Sequence, residues 1–141
     1  MRILVPYDGS EQADAALEYA VTQHPDDDLV LLHVLDFVEA GYSAAPEAAL
    51  AGYWEEWYEQ AESSAEELLE SAAAAIETDA DVETEIVVGP PANAIVEYVE
   101  TEDIDAVVIG SHGRDGFSRI LLGSVAETVV RRSPVPVTVV R

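Results

Sequence analysis

Five short apolar runs alternate with amphipathic stretches along this chain, and that alternation limits its fold more than any other feature. Residues 2–6 form a β-rich run, after which Ala13, Ala16, Leu17, Ala20 and Val21 fall at helical spacing. Leu29 to Val34 is a second apolar run, set off by the turn Pro25-Asp26-Asp27-Asp28. Val82 to Val88 is a third, punctuated by Gly89-Pro90-Pro91. Between these two, in a long segment from Asp36 to about Asp79, one helical stripe carries Trp54, Trp57, Ala61, Ala65, Leu68, Ala72 and Ile76. Proline is tolerated in a first helical turn, so Ala92, Ile95, Val96 and Val99 predict a further short helix. Residues 105–109 predict a fourth strand, 124–132 a fourth helix and 135–140 a fifth strand. The pattern is βαβαβαβαβ, the α/β class, in which a five-stranded parallel sheet carries helices on both faces.

Right-handed crossovers leave few ways to order such a sheet. Pro134 and Pro136 mark the last strand as an edge, because a central strand needs every N–H in its ladder. The doubly wound order 3-2-1-4-5 meets that condition and places a switch point between strands one and four. Ligands of open α/β sheets bind there, outside the carboxyl ends of the strands. Two loops meet at that point: Pro6-Tyr7-Asp8-Gly9-Ser10, and the loop that starts at Gly110.

The second loop carries a phosphate-binding composition. Ala106-Val107-Val108-Ile109 runs into Gly110-Ser111-His112-Gly113, and nine residues later comes Gly123-Ser124 at the start of a helix. Glycine lets backbone N–H groups approach an anion with no Cβ in the way, and a helix N-terminus favours negative charge. Ser124 suits the N-cap of that helix, and a cap hydroxyl can also meet phosphate. Asp8 suits a cap of the first helix, with Glu11 at capping-box spacing, as well as a ligand contact, and Ser10 suits a cap or first-turn position. His112 stands among glycines with no evident carboxylate to orient it except Asp115, which favours loop geometry or ribose contact over catalysis. His33 reads as a satisfied core histidine and His24 as a helix-end residue.

Charge narrows the partners. There are 29 acidic residues against 6 basic ones, all arginine, for a formal net charge of −23 over 141 residues. So negative a surface repels nucleic acid and anionic membranes, which excludes both as expected partners. Its self-repulsion is screened only when the Debye length shrinks to about 3 Å at molar salt. An acid excess without lysine resembles the composition of cytoplasmic proteins from salt-accumulating halophiles, the plainer alternative being an acidic mesophile protein. With no cysteine, no apolar run near the roughly 20 residues of a membrane span, and a start straight into a strand, the expectation is one cytoplasmic domain. Arg114 and Arg119 form a basic island inside the glycine loop, where a guanidinium could grip phosphate or point to water. Arg131 and Arg132 complement a helix C-terminus.

The chain resembles the universal stress protein family over essentially its whole length. The resemblance opens with Ile3-Leu4-Val5-Pro6-Tyr7-Asp8-Gly9-Ser10, includes Leu32-His33-Val34, and closes with Pro134-Val135-Pro136-Val137. Its most specific part is Gly110-x2-Gly113-x9-Gly123-Ser124, which matches the family's ATP-binding pattern G-x2-G-x9-G-[S/T] without a gap. The resemblance implies a sheet of order 3-2-1-4-5, a homodimer, and ATP across the switch point with Mg²⁺ on its phosphates. It further implies that Pro6 lines the first loop, Asp8 contacts the ribose or nearby polar groups, and Val34 and Ile109 flank the adenine. Gly110, Ser111, His112 and Gly113 would wrap the ribose–phosphate region, while Gly123, Ser124 and Val125 would bind phosphate.

Three functions compete at this point. A nucleotide-dependent sensor or regulator of the stress response leads. Slow ATP hydrolysis or nucleotidyl transfer has little support: there is no catalytic carboxylate pair, no P-loop Gly-Lys-Ser/Thr and no lysine. A partner-binding module with incidental nucleotide would use the aromatic cluster at 53–58 and the edge strand at 135–140, whose pairing across a two-fold axis would give the homodimer.

Overall fold

The computed structural model describes residues 1–36, 51–112 and 122–141, with the backbone alone for 51–54. Its elements are β1 (Arg2–Pro6), α1 (Glu11–Gln23), β2 (Asp28–Leu35), α2 (Ala51–Ala75), β3 (Val82–Val88), α3 (Pro91–Thr101), β4 (Ala106–Gly110), α4 (Ser124–Arg132) and β5 (Val137–Val140). The strands form one sheet in the order β3-β2-β1-β4-β5, as expected. Every pairing is parallel, with Pro6 opposite Leu32, Leu4 opposite Val107 and Ile109 opposite Val139.

Alternation along the strands sorts the core into two layers. Ile3, Val5 and Tyr7 of the β1 segment, Leu29 and Leu31 of β2 and Val108 of β4 face Ala13, Ala16, Leu17 and Ala20 of α1 and Leu69 and Ala72 of α2. Their neighbours Leu4, Val30, Leu32, Val107 and Ile109 face Ile95, Val96 and Val99 of α3 and Ala126 and Val129 of α4. The central strands are apolar on both faces because helices cover both. Arg2 sits at the opposite end of the sheet from the strand carboxyl ends. It bonds Glu83 of β3 at 2.8 Å and the Glu102 carbonyl at 3.1 Å, and the Glu83 hydrogen bond raises its pKa further.

Three expected details are corrected. The buried line of α2 runs through Ala65, Leu69 and Ala72, with Leu68 and Ile76 packed beside it. Leu69 was absent from the expected stripe, although its spacing from Ala65 and Ala72 is helical. Trp57 is only half-buried, and the side chain of Trp54 lies outside the described residues. The fifth strand begins at Val137 rather than at residue 135, because Pro136 has no N–H to give to the ladder. Helix α4 is capped by Gly123, which makes Ser124 its first helical residue rather than its N-cap. Strand β5 lies at a sheet edge beside β4, where the two prolines implied.

Candidate functional site: the crevice at the β1–β4 switch point

The β1–α1 turn is built by short-range hydrogen bonds. Asp8 Oδ1 accepts the Ser10 N–H at 2.9 Å, and Ser10 Oγ accepts the Ala13 N–H at 3.1 Å. Ser10 is therefore the N-cap of α1, and Asp8 shapes the approach to it instead of capping the helix. Gly9 between them has φ +80°, which L side chains rarely adopt. Tyr7 anchors the turn from below: its N–H bonds the Leu32 carbonyl at 2.8 Å, and its buried hydroxyl donates to Asp14.

Burial, and then the bond to Asp14, push the Tyr7 phenol up to about 12. An unfolded chain would release that proton near its ordinary pKa of about 10. The contribution of the neutral phenol is thus complete below pH 10 and is lost as pH rises towards 12. Urea unfolding across this window is expected to cost the wild type up to about 2–3 kcal/mol that Tyr7→Phe does not lose. Parallel curves for the two proteins would overturn that assignment.

The other wall begins at the end of β4. Gly110 lies against α1, where a Cβ would stand 2.7 Å from the Gln12 carbonyl oxygen and 2.9 Å from its Cβ. The first demand for glycine at this position is thus helix packing. Ser111, buried, continues the strand through a 2.8 Å bond from its N–H to the Val140 carbonyl. Its own carbonyl accepts the Gly123 N–H at 2.7 Å, and this bond joins the two ends of the glycine loop at its base. A side chain at 123 would press on Ser111 and on His112 Cα, at 3.1 and 3.3 Å from its Cβ. The Gly123 amide is committed to closing the loop, so it is not one of the N–H groups open to an anion. Helix α4 leaves its first amides without intrahelical acceptors, and Gly123 supplies no side-chain cap for them. His112 is half-buried, with Nδ1 3.3 Å from Ser111 Oγ.

Val34 and Val125 both pack against the cluster that contains Ile109, so three expected site residues share the α3/α4 face at the carboxyl ends of the strands. Pro6, half-buried, ends β1 beside them in the sheet. Gly113, Arg114 and Arg119 lie outside the described residues. Of the other arginines, Arg131 pairs with Glu127 at 2.7 Å and Arg132 bonds Asn93, consistent with structural roles.

Sequence reasoning passed over two residues at this crevice. Neither Tyr7 nor His33, expected as a satisfied core histidine, belongs to the expected site set. His33 is half-buried, with Nδ1 2.8 Å from the Tyr7 carbonyl oxygen. The signal for that contact is the β1–β2 register, which puts position 33 beside position 7 and which apolar periodicity alone does not give.

The strand order defines a doubly wound α/β fold whose switch point lies between β1 and β4, where open sheets of this kind bind their ligands. The model of the Universal stress protein family matches residues 1–141, and the chain belongs to that family. It is 34% identical over 145 residues to universal stress protein MJ0531 of Methanocaldococcus jannaschii, covering 99% of this chain and 81% of that protein. Universal stress protein UspA from Lactobacillus plantarum superposes with a TM-score of 0.75 at 30% identity, covering 100% of this chain and 97% of that one. A universal stress protein crystallised in complex with cAMP superposes at 0.61 with 25% identity, covering 100% and 97%.

Proposed function

We propose that this universal stress protein binds ATP at the β1–β4 switch point and acts as a nucleotide-dependent regulator of the stress response. The observation that carries the proposal is the placement of the G-x2-G-x9-G-S pattern, whose two described ends close on each other through Gly123 and Ser111 at this crevice. Val34 and Ile109 are the apolar walls for the base, Pro6 and Asp8 border the ribose, and the first amides of α4, which have no intrahelical acceptors, suit phosphate. Gly110, Ser111 and His112 form the strand side of the loop, and Gly113 and Arg114 are proposed as further contacts to the ribose and phosphates. A family member that binds cAMP supports an adenine nucleotide as the ligand class.

Among the described residues, no group of three or more His, Cys, Asp or Glu could hold a metal ion. Mg²⁺ would arrive on the phosphates, with Asp8 the one carboxylate of the expected set. The 141 residues act as one cytoplasmic domain adapted to molar salt, and β5 pairs across a two-fold axis to form a homodimer. No described helix is long and apolar enough to cross a membrane.

Ser124→Asp tests the site. Aspartate in a first helical turn is compatible with α4 and favoured by its dipole, but it puts a carboxylate where phosphate would bind. Calorimetry in molar KCl should give micromolar ATP–Mg²⁺ binding to the wild type, weakened at least a hundredfold in Ser124→Asp at unchanged melting temperature. At ATP concentrations 100 times Kd, the wild type alone should gain about 2.7 kcal/mol of stability. Equal affinity in both proteins, or none in the wild type, would overturn the proposal.

A further inference from the structure

We infer that His33 is a positioning residue of the nucleotide site: its Nδ1–H, donated to the Tyr7 carbonyl, holds the β1–α1 turn in the shape that presents Pro6 and Asp8 to the ligand. The inference rests on the nucleotide-binding proposal above for its ligand, but its geometry stands independently.

A backbone carbonyl can only accept, so the 2.8 Å contact fixes the proton on His33 Nδ1. Regular pairing of β1 with β2 ends at Pro6 opposite Leu32. One more main-chain bond follows, from the Tyr7 N–H to the Leu32 carbonyl. At the next step the chain swings away towards Gly9 and α1, and the His33 side chain supplies a donor to the carbonyl of Tyr7. Within the turn or to α1, Asp8 bonds Ser10, Ser10 bonds Ala13, and Tyr7 bonds Asp14. The His33 bond ties the turn to β2 through a side chain, one step beyond the last main-chain bond between the two. The residue after His33 is Val34, a proposed wall of the base pocket, and the residues on either side of Tyr7 are Pro6 and Asp8. One side chain thus couples the spacing of two walls that come from different strands. His33 is half-buried, whereas Leu31 and Leu32 before it are fully buried.

The test compares His33→Leu, which keeps apolar bulk and removes the donor, with His33→Asn, whose Nδ2–H lies close to where Nδ1–H was. Two quantities are read in molar KCl: the Kd for ATP–Mg²⁺ by calorimetry, and hydrogen exchange at the Ser10 amide, which Asp8 Oδ1 accepts. His33→Leu should weaken ATP about tenfold and speed Ser10 exchange about tenfold. His33→Asn should bring both back to within about threefold of the wild type. A purely structural role would lower the stability of both variants while leaving affinity and Ser10 exchange alike in the two, and that result would overturn the inference. A wild type that binds no ATP removes the nucleotide part of both proposals. In that case Ser10 exchange alone decides whether His33 holds the turn.

Discussion

Gly110→Ala is expected to destabilise the protein by about 2–4 kcal/mol, lowering its melting temperature by about 10 °C. The added Cβ would meet the Gln12 carbonyl oxygen at 2.7 Å, its carbonyl carbon at 2.8 Å and its Cβ at 2.9 Å. Two of those atoms are backbone in the second residue of α1, and they cannot swing aside as the end of a side chain could. Relief would require α1 to lift from β4, disturbing a helix whose Ala13, Ala16, Leu17 and Ala20 are all buried in the sheet. Domains of this kind are stable by only about 5–15 kcal/mol, so the loss is a large share of the total. Gly123→Ala makes an informative comparison. Its contacts, at 3.1 and 3.3 Å, need a shift of only a few tenths of an ångström, and it should cost about 1 kcal/mol or less. Thermal melts of the two variants side by side decide the matter, and a Gly110→Ala protein within about 0.5 kcal/mol of the wild type would mean that α1 is free to move.

The second large effect is expected from salt. Helix α2 carries Glu55, Glu56, Glu59, Glu62, Glu66, Glu67 and Glu70 and no basic residue. Three of these pairs lie four apart (55–59, 62–66, 66–70) and three lie three apart (56–59, 59–62, 67–70), which makes six like-charge neighbours on one helix. Each destabilises by about 0.2–0.5 kcal/mol at low ionic strength, or roughly 1–3 kcal/mol together. The repulsion of the whole chain, at −23, adds to this. Between 0.01 M and 1 M salt the Debye length falls from about 30 to about 3 Å. The melting temperature should therefore climb by more than 10 °C over that range. The double variant Glu59→Gln, Glu66→Gln removes five of the six pairs, leaving only 67–70, and should be more stable at low salt with a shallower salt dependence. Identical slopes for variant and wild type would place the repulsion elsewhere than on α2.

What the sequence made legible, and what it hid, divides by the range of the interactions involved. The strands and helices follow from local periodicity, and Pro134 and Pro136 sufficed to put β5 at an edge because a missing N–H is a property of the residue itself. The glycine loop announced itself for the same reason: spacing is visible along the chain. Boundaries slipped where one hydrogen bond decides them. Ser124 looks like a cap, but Gly123 takes that position because its amide is drawn to Ser111. Contacts between distant residues were not legible at all. That Gly110 is demanded by Gln12, or that His33 reaches the Tyr7 carbonyl, depends on helix docking and strand register, which two-state apolar patterning leaves open.

The bond from the Gly123 amide to the Ser111 carbonyl bears on how such a protein can diversify. It brings residues 111 and 123 together at the foot of the loop, so closure there rests on main-chain groups at the two ends. Closing a loop twice as long on the same foot would cost only about 0.6 kcal/mol more. Length and composition in this stretch can then change through mutation while strand order, core and helix docking stay as they are. Ligand preference and stability become separately heritable, and related chains could acquire different cargoes on an unaltered frame.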